Sequence, residues 1–524
     1  MDRRTEQSRL SDGRSDGSRR DIARQDAIAA SAESCAQDRH SVPGVPDRRK
    51  HLPGILACVL ILATASAIRI CGALNEPWLD EILALVTARN VVSICDIFTK
   101  IHSEVNHHLY TAYLYLVNPQ GNWLLCRLPS LAAGIGTVAI AGLIGRRRST
   151  ADAFFAMFLI GFSYVMVLYS SEMRGYALAV FFSYLSFYLL DSYLASKRCH
   201  TALFFSLSVV FGIISQLTFL SFYLAALIWS VFRLMKSRSS LRQFIVEILS
   251  IHAIPLIFLA AFYFVSVRGI TGIGGTPSPS LIHSYGTALA WSMGAPSADF
   301  LRMLTCIAAV VVLNAGIQLL WREKSDSYVF FLGVILVFPN ILIGLRGADE
   351  IYVRYYIISI AFLLLLCGYL LAALYRQGLR GKTICSLLLA SYLVANGAHT
   401  VSLLKYGRGQ YSEAIRFIAQ RSTGSPVKIG SDQDLRTSLI WQFYGEEAMG
   451  EKKAVYYKQG YWPQTGLDWV IYQKESLGVP IPAITEAKDP AGNKYEFVKT
   501  FPSAPLSGLY WFIYRNQSND LLGQ

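Results

Sequence analysis

Charge is scarce in this chain. Only 16% of its 524 residues are charged, while 53% are hydrophobic, and the mean hydropathy is +0.37. Soluble domains carry about 25% charged residues, so an ordinary water-soluble fold is excluded. Cysteine is little used as well. Cys35, Cys58, Cys71, Cys95, Cys126, Cys199, Cys306, Cys367 and Cys385 are scattered without the spacing of a metal site. None lies beyond Cys385, so no disulfide framework and no structural zinc site holds the last part of the chain together.

What the chain has instead is long apolar runs. Stretches able to cross a bilayer recur at 53–74, 127–145, 151–170, 174–195, 200–218, 220–235, 244–267, 300–321, 327–345, 355–375 and 382–404. They predict an all-α polytopic membrane domain of about eleven helices over residues 51–404. The run starting at Leu220 is short, as expected of a span with a different tilt or a re-entrant segment. Alternate connections are basic: Arg146-Arg147-Arg148, then Lys197-Arg198, then Arg233, Lys236, Arg238 and Arg242, then Arg322 and Lys324, then Arg376, Arg380 and Lys382. By the positive-inside rule these five connections are cytoplasmic, with the N-terminus inside and the C-terminal region outside. The net charge of +13 is then mostly a topology signal and points to no nucleic acid.

Residues 1–50 are rich in Arg, Ser, Asp and Gly. They have too little apolar content to order themselves, and they read as a cytoplasmic tail rather than a signal peptide. Residues 405–524 change character. Tyr411 to Gln420 has helical spacing, and Pro426–Ile429, Trp469–Tyr472, Tyr495–Val498 and Leu509–Tyr514 read as strands. A small extracytoplasmic α/β domain is expected there.

The first outer loop, 75–126, carries the chemistry-bearing residues. Asp80-Glu81 follows the first span without a linker, and Glu104, Asn106, His107 and His108 lie farther on. Carboxylates beside hydrocarbon are costly and count as functional candidates. A carboxylate there can serve as a general base. The plainer reading is that the pair caps the N-terminus of an interfacial helix, where acidic residues are favoured. Cys95 and Cys126 fall in a compartment that permits a disulfide, though two unpaired thiols are the preferred reading. A second outer turn, Tyr169-Ser170-Ser171-Glu172-Met173-Arg174-Gly175-Tyr176, holds one acid and one base. A helix-terminal ion pair would explain that turn without chemistry.

Taken in order, four segments carry a resemblance: the acidic pair, Asn106-His107-His108-Leu109-Tyr110, Arg127-Leu128-Pro129-Ser130, and Ser171-Glu172-Met173-Arg174-Gly175-Tyr176. Together they resemble the GT-C superfamily of polyprenyl-phosphate-sugar-dependent glycosyltransferases, in particular the branch of protein O-mannosyltransferases and the aminoarabinose transferase of lipid A. The match covers roughly residues 53–375.

The resemblance implies an integral membrane glycosyltransferase, multi-pass in the bacterial inner (plasma) membrane. It would move a hexose or pentose from a polyprenyl-phosphate carrier to a glycan, lipid or protein acceptor on the outer face. It places Asp80, with Glu81 beside it, at the reaction centre. It gives Glu172, Arg174, Tyr176, Arg354 and Tyr355 to the donor phosphate or sugar, and makes Glu104, Asn106 and His107 candidate contacts to donor or acceptor. Many relatives have His-Pro-Pro-Leu-Tyr at 106–110, which leaves the roles of Asn106 and His107 open. Some relatives use a divalent cation, but no Asp-x-Asp pattern occurs in the outer loops, so no metal site is expected. A transporter or lipid-carrier flippase is the alternative from another class, yet Glu247 sits near a span end and no inverted repeat is visible. A surface-polysaccharide ligase or polymerase would share the outer-face chemistry without the acidic pair.

Overall fold

The computed structural model describes residues 48–103, 106–118, 121–237, 240–270, 280–296, 298–346, 352–475, 484 and 486–517. Residues 48–56 are the opening turns of a helix, and the described residues from Ala57 onward form one compact unit. Among the described residues, nine helices are long and apolar enough to cross a membrane. The predicted 151–170 span is bent instead, as Thr150–Phe162 and Tyr164–Ser170 meeting at 62°, and Cys199–Ser215 is a shorter apolar helix.

The bend has a local cause. Ser163 leaves the helical region and its hydroxyl caps the second half. The break strands backbone groups on both sides, and three of them find side chains from other spans. Arg69 donates to the carbonyls of Ile160 and Gly161 at 3.0 and 2.9 Å. Asn396 accepts from the Tyr164 amide at 2.9 Å. Arg69 is buried, and helix-end carbonyls stabilise its cation.

One end of the bundle is laced by ion pairs. Arg148 reaches Glu323 at 2.6 Å, Arg376 reaches Asp152 at 3.0 Å and Lys236 reaches Asp326 at 2.7 Å. The opposite end carries the helices Leu79–Arg89, Ile94–Thr99 and His108–Val117 of the first loop. A π-helical turn at Tyr263–Val267 closes a long span there. It presents Ser266, whose carbonyl accepts from His102 Nδ1 and whose hydroxyl meets His108 Nε2 at 2.6 Å.

At that same end sits a six-stranded mixed sheet built from β1 Val427–Ser431, β2 Ala454–Tyr456, β3 Trp469–Glu475, β4 Glu486–Lys488, β5 Lys494–Phe501 and β6 Leu509–Asn516. Its order is β2-β1-β3-β6-β5-β4. β1 is parallel to β2 and β3, and the remaining pairings are antiparallel. One face buries Ile429, Trp469, Ile471, Trp511 and Ile513 against the helices Tyr411–Arg421 and Asp434–Met449. Trp78, Leu79 and Ile82 belong to the same core. The helix that carries Asp80 is therefore packed into the C-terminal sheet unit as well as onto the membrane helices.

Candidate functional site

Asp80 and Glu81 are neighbours in the first turn of Leu79–Arg89 but face different partners. Asp80 Oδ2 lies 3.0 Å from Arg174 Nη1 and 3.3 Å from Arg354 Nη1. These three residues come from the first loop, the 171–175 turn and the Val353–Tyr356 turn. The Asp80 and Arg354 side chains keep 15% and 16% of their surface exposed, so the cluster opens at an edge. Arg354 lies over the Tyr352 ring at 4.1 Å, and the Tyr355 ring meets Tyr352 at 5.8 Å. Among the described residues, the buried Arg354 Nε has no hydrogen-bond partner.

Glu81, expected beside Asp80 in the reacting pair, is closed off instead. It is fully buried and accepts two bonds from Arg127, at 2.8 and 2.6 Å. It also accepts from the Met173 amide at 2.7 Å and the Trp78 amide at 3.3 Å. Burial pushes its carboxyl up, but Arg127 and Arg408 outweigh that and hold it below the ordinary range. Arg127 continues to the carbonyls of Ala73 and Asn75. With every oxygen engaged, Glu81 is a brace that fixes the first loop to the 171–175 turn.

His107 stands behind Arg174. It accepts from Arg174 Nε at 2.9 Å through Nε2, and its Nδ1–H donates to the Ser215 carbonyl at 3.2 Å. Burial and the Arg174 cation hold its pKa well below the usual histidine value, so it is neutral at pH 7. Burial lowers Arg174, but Asp80, Tyr176 and Glu172 together outweigh it and raise Arg174 above the ordinary value. Tyr176 packs its ring edge-on against His107 at 5.1 Å and beneath Arg174 at 5.5 Å.

Other candidates lie apart. Asn106 spends its amide on the Ile97 and Ile101 carbonyls and accepts from Thr111, which makes it a brace of the loop. His108 bonds Ser266 and packs between Phe98 and Phe262. Glu104 lies outside the described residues. Cys95 is exposed, Cys126 is buried, and both are free thiols.

Glu172 meets Arg408 at 3.7 Å. Burial lifts its carboxyl to about 7 in spite of Arg408 and Arg174, and burial lowers Arg408 too. Arg408 was not legible as a site residue. Its signal is the Gly407-Arg408-Gly409 run, whose glycines take φ of 61° and 144°, but a lone arginine after a span reads first as an interfacial anchor.

Counting charges, Asp80, Arg174 and Arg354 leave one net positive charge at the open edge, beside a neutral histidine. Such a cluster takes an anion, and Arg is suited to phosphate oxygens. It does not fit a divalent cation, because a single carboxylate flanked by two guanidinium groups makes a poor donor set. Among the described residues no three His, Cys, Asp or Glu side chains gather as metal ligands.

Neither a family model nor a curated protein matches the sequence. Among solved structures, the chain is similar to ArnT from Cupriavidus metallidurans in the apo state, with 12% identity and a TM-score of 0.47 over 87% of this chain and 97% of that one. For ArnT bound to undecaprenyl phosphate the values are 13% and 0.45 over the same shares. An archaeal oligosaccharyltransferase, AglB from Archaeoglobus fulgidus in complex with an inhibitory peptide and a dolichol-phosphate, gives 9% and 0.44 over 81% and 70%.

Proposed function

We propose that this chain is an integral membrane glycosyltransferase that moves a sugar from a polyprenyl-phosphate carrier to an acceptor hydroxyl at the outer membrane face. One observation carries the reading. Asp80, Arg174 and Arg354, drawn from three distant segments, meet as a carboxylate bracketed by two cations at an open edge. The donor phosphate takes the arginines, and Asp80 turns to the acceptor. The acceptor oxygen attacks the anomeric carbon and its proton passes to Asp80. The bond from that carbon to the phosphate oxygen breaks, and the electron pair leaves with the phosphate. Charge grows on the phosphate as it departs, so fixed guanidinium groups favour the transition state over the ground state. Arg174 is held on aim by His107 and Tyr176.

The test uses the full-length protein in nanodiscs, the lipid-linked sugar pool extracted from its host membranes, and undecaprenyl phosphate as a binding probe. Asp80→Asn removes the base and adds one net positive charge. Turnover is expected to fall at least about a hundredfold, while the probe binds as well or better. Arg354→Ala is expected to weaken probe binding at least about tenfold. Turnover of Asp80→Asn within a few-fold of the parent would remove Asp80 from the chemistry.

A further inference from the structure

The C-terminal sheet unit touches the site through residues that the proposed reaction does not use. Arg408 follows the last span, whose helix ends at Tyr406. It is fully buried, and its guanidinium is shared between two segments. Nη1 donates to the Gly72 carbonyl at 3.4 Å. Nη2 donates to the Leu168 carbonyl at 2.9 Å and to the Ser171 hydroxyl at 3.1 Å. Nε faces Glu172. Gly72 ends the span that leads to Asp80, and Ser171 and Glu172 begin the turn that carries Arg174. One side chain thus ties together the roots of both members of the Asp80–Arg174 pair.

Arg408 is in turn seated by the sheet unit. Its carbonyl accepts from the Tyr411 hydroxyl at 2.9 Å, and that hydroxyl accepts from the Leu509 amide at 3.0 Å. The Gly407 carbonyl accepts from Ala504 at 2.8 Å. Ala504 lies in the loop from β5 to β6 and is buried among the membrane helices. Gly508 presses so close that a Cβ there would fall 1.5 Å from the Arg408 carbonyl oxygen. A second tether runs the other way. Glu76, four residues before Asp80, accepts from the Tyr411 and Ser412 amides at the start of Tyr411–Arg421, where a helix N-terminus favours a carboxylate.

We infer that Arg408 is a positioning residue for the Asp80–Arg174 pair, and that through it the C-terminal sheet unit is a working part of the site. The inference rests on the reading of Asp80 as the reacting carboxylate. Arg408 touches neither Asp80 nor Arg174, so it acts on the distance between them. The donor phosphate still finds Arg354 and Arg174 when Arg408 is replaced, so binding and turnover separate.

The test compares Arg408→Met and Arg408→Lys with the parent and with Arg436→Met, which breaks an exposed Arg436–Glu475 pair on the sheet unit. All are full-length chains in nanodiscs. Hydrogen exchange in segments 72–81 and 168–176 is expected to rise at least tenfold in Arg408→Met. Turnover on the extracted lipid-linked sugar pool should fall at least tenfold, with the dissociation constant for undecaprenyl phosphate within threefold of the parent. Arg408→Lys keeps the charge and loses the fork, so it should fall between the two and serves as the test if the Met variant does not fold. Arg436→Met should change none of these. Parent-like exchange in both segments, or turnover within twofold of the parent, overturns the inference. An equal loss of probe binding and turnover also overturns it, because it makes Arg408 a general structural support. The exchange measurement involves no sugar transfer, so it still judges Arg408 if Asp80→Asn proves fully active.

Discussion

Buried carboxylates at this site differ in what pays for their charge. Glu81 has four donors and stays ionised. Glu172 has a cation at 3.7 Å and an oxygen without a hydrogen-bond partner, so burial wins and its pKa rises from 4.5 to about 7. The folded state then binds more protons than the unfolded chain between these two values. Stability from this group is complete at pH 4.5 and below and is lost as pH rises through 7. Glu172→Gln cannot ionise, so it should melt within a degree or two of the parent at pH 5 and above it at pH 8. Melting curves of the two proteins at both pH values check this, and a gap that does not change with pH would show that Glu172 does not titrate there. Sequence made the acid and the base at 172 and 174 visible as a pair. It could not show that they take different partners, Asp80 for Arg174 and Arg408 for Glu172, because Arg408 lies more than two hundred residues downstream.

Among the elements, the 171–175 turn is tightly constrained. Gly175 has an ordinary helical φ of −72°, so its need for glycine is spatial. A Cβ there would stand 2.0 Å from the Ser215 carbonyl oxygen and 2.8 Å from His107 Nδ1. The carbonyl belongs to a packed helix end and cannot give way as a side chain can. Gly175→Ala should therefore push His107 off Arg174 and lower turnover at least about tenfold, with an overpacking cost of about 1–3 kcal/mol. Gly397→Ala, at a position with nothing within 4 Å of the added carbon, should match the parent in the same turnover assay and melting curve. Element boundaries were largely readable from apolar runs. The exceptions have physical reasons. The 62° bend depends on Arg69 and Asn396, which lie in other spans. β2 and β4 are three residues each, too short to show alternation. The helix Asp434–Met449 was missed because it mixes polar residues through its sequence and buries Trp441 and Tyr444 against the sheet.

For the whole molecule, the Arg148–Glu323, Lys236–Asp326 and Arg376–Asp152 pairs lie at the end of the bundle opposite the C-terminal sheet unit, and the positive-inside rule predicts that this basic end faces the cytoplasm. In a background without native cysteines, a cysteine at Lys494 should react with an impermeant reagent added to intact cells. One at Arg147 should react only after the cells are opened. Labelling at Arg147 in intact cells would invert the orientation. The division of the chain at 405 was drawn from composition alone. It could not reveal that Trp78, Leu79 and Ile82, far upstream, fill part of the sheet unit's core.

The bend at Ser163 also bears on the order in which the protein can be made. Hydrocarbon offers nothing to an unpaired amide or carbonyl, and each such group costs several kcal/mol there. Arg69 is already synthesised when the bent span emerges, so the carbonyls of Ile160 and Gly161 are met at once. The Tyr164 amide must wait for Asn396, which leaves the ribosome more than two hundred residues later. Until then the nascent chain holds an unfinished joint inside the bilayer. The last span is therefore the closing piece of the first half's architecture, and a chain that stops short of it leaves that joint open to lipid.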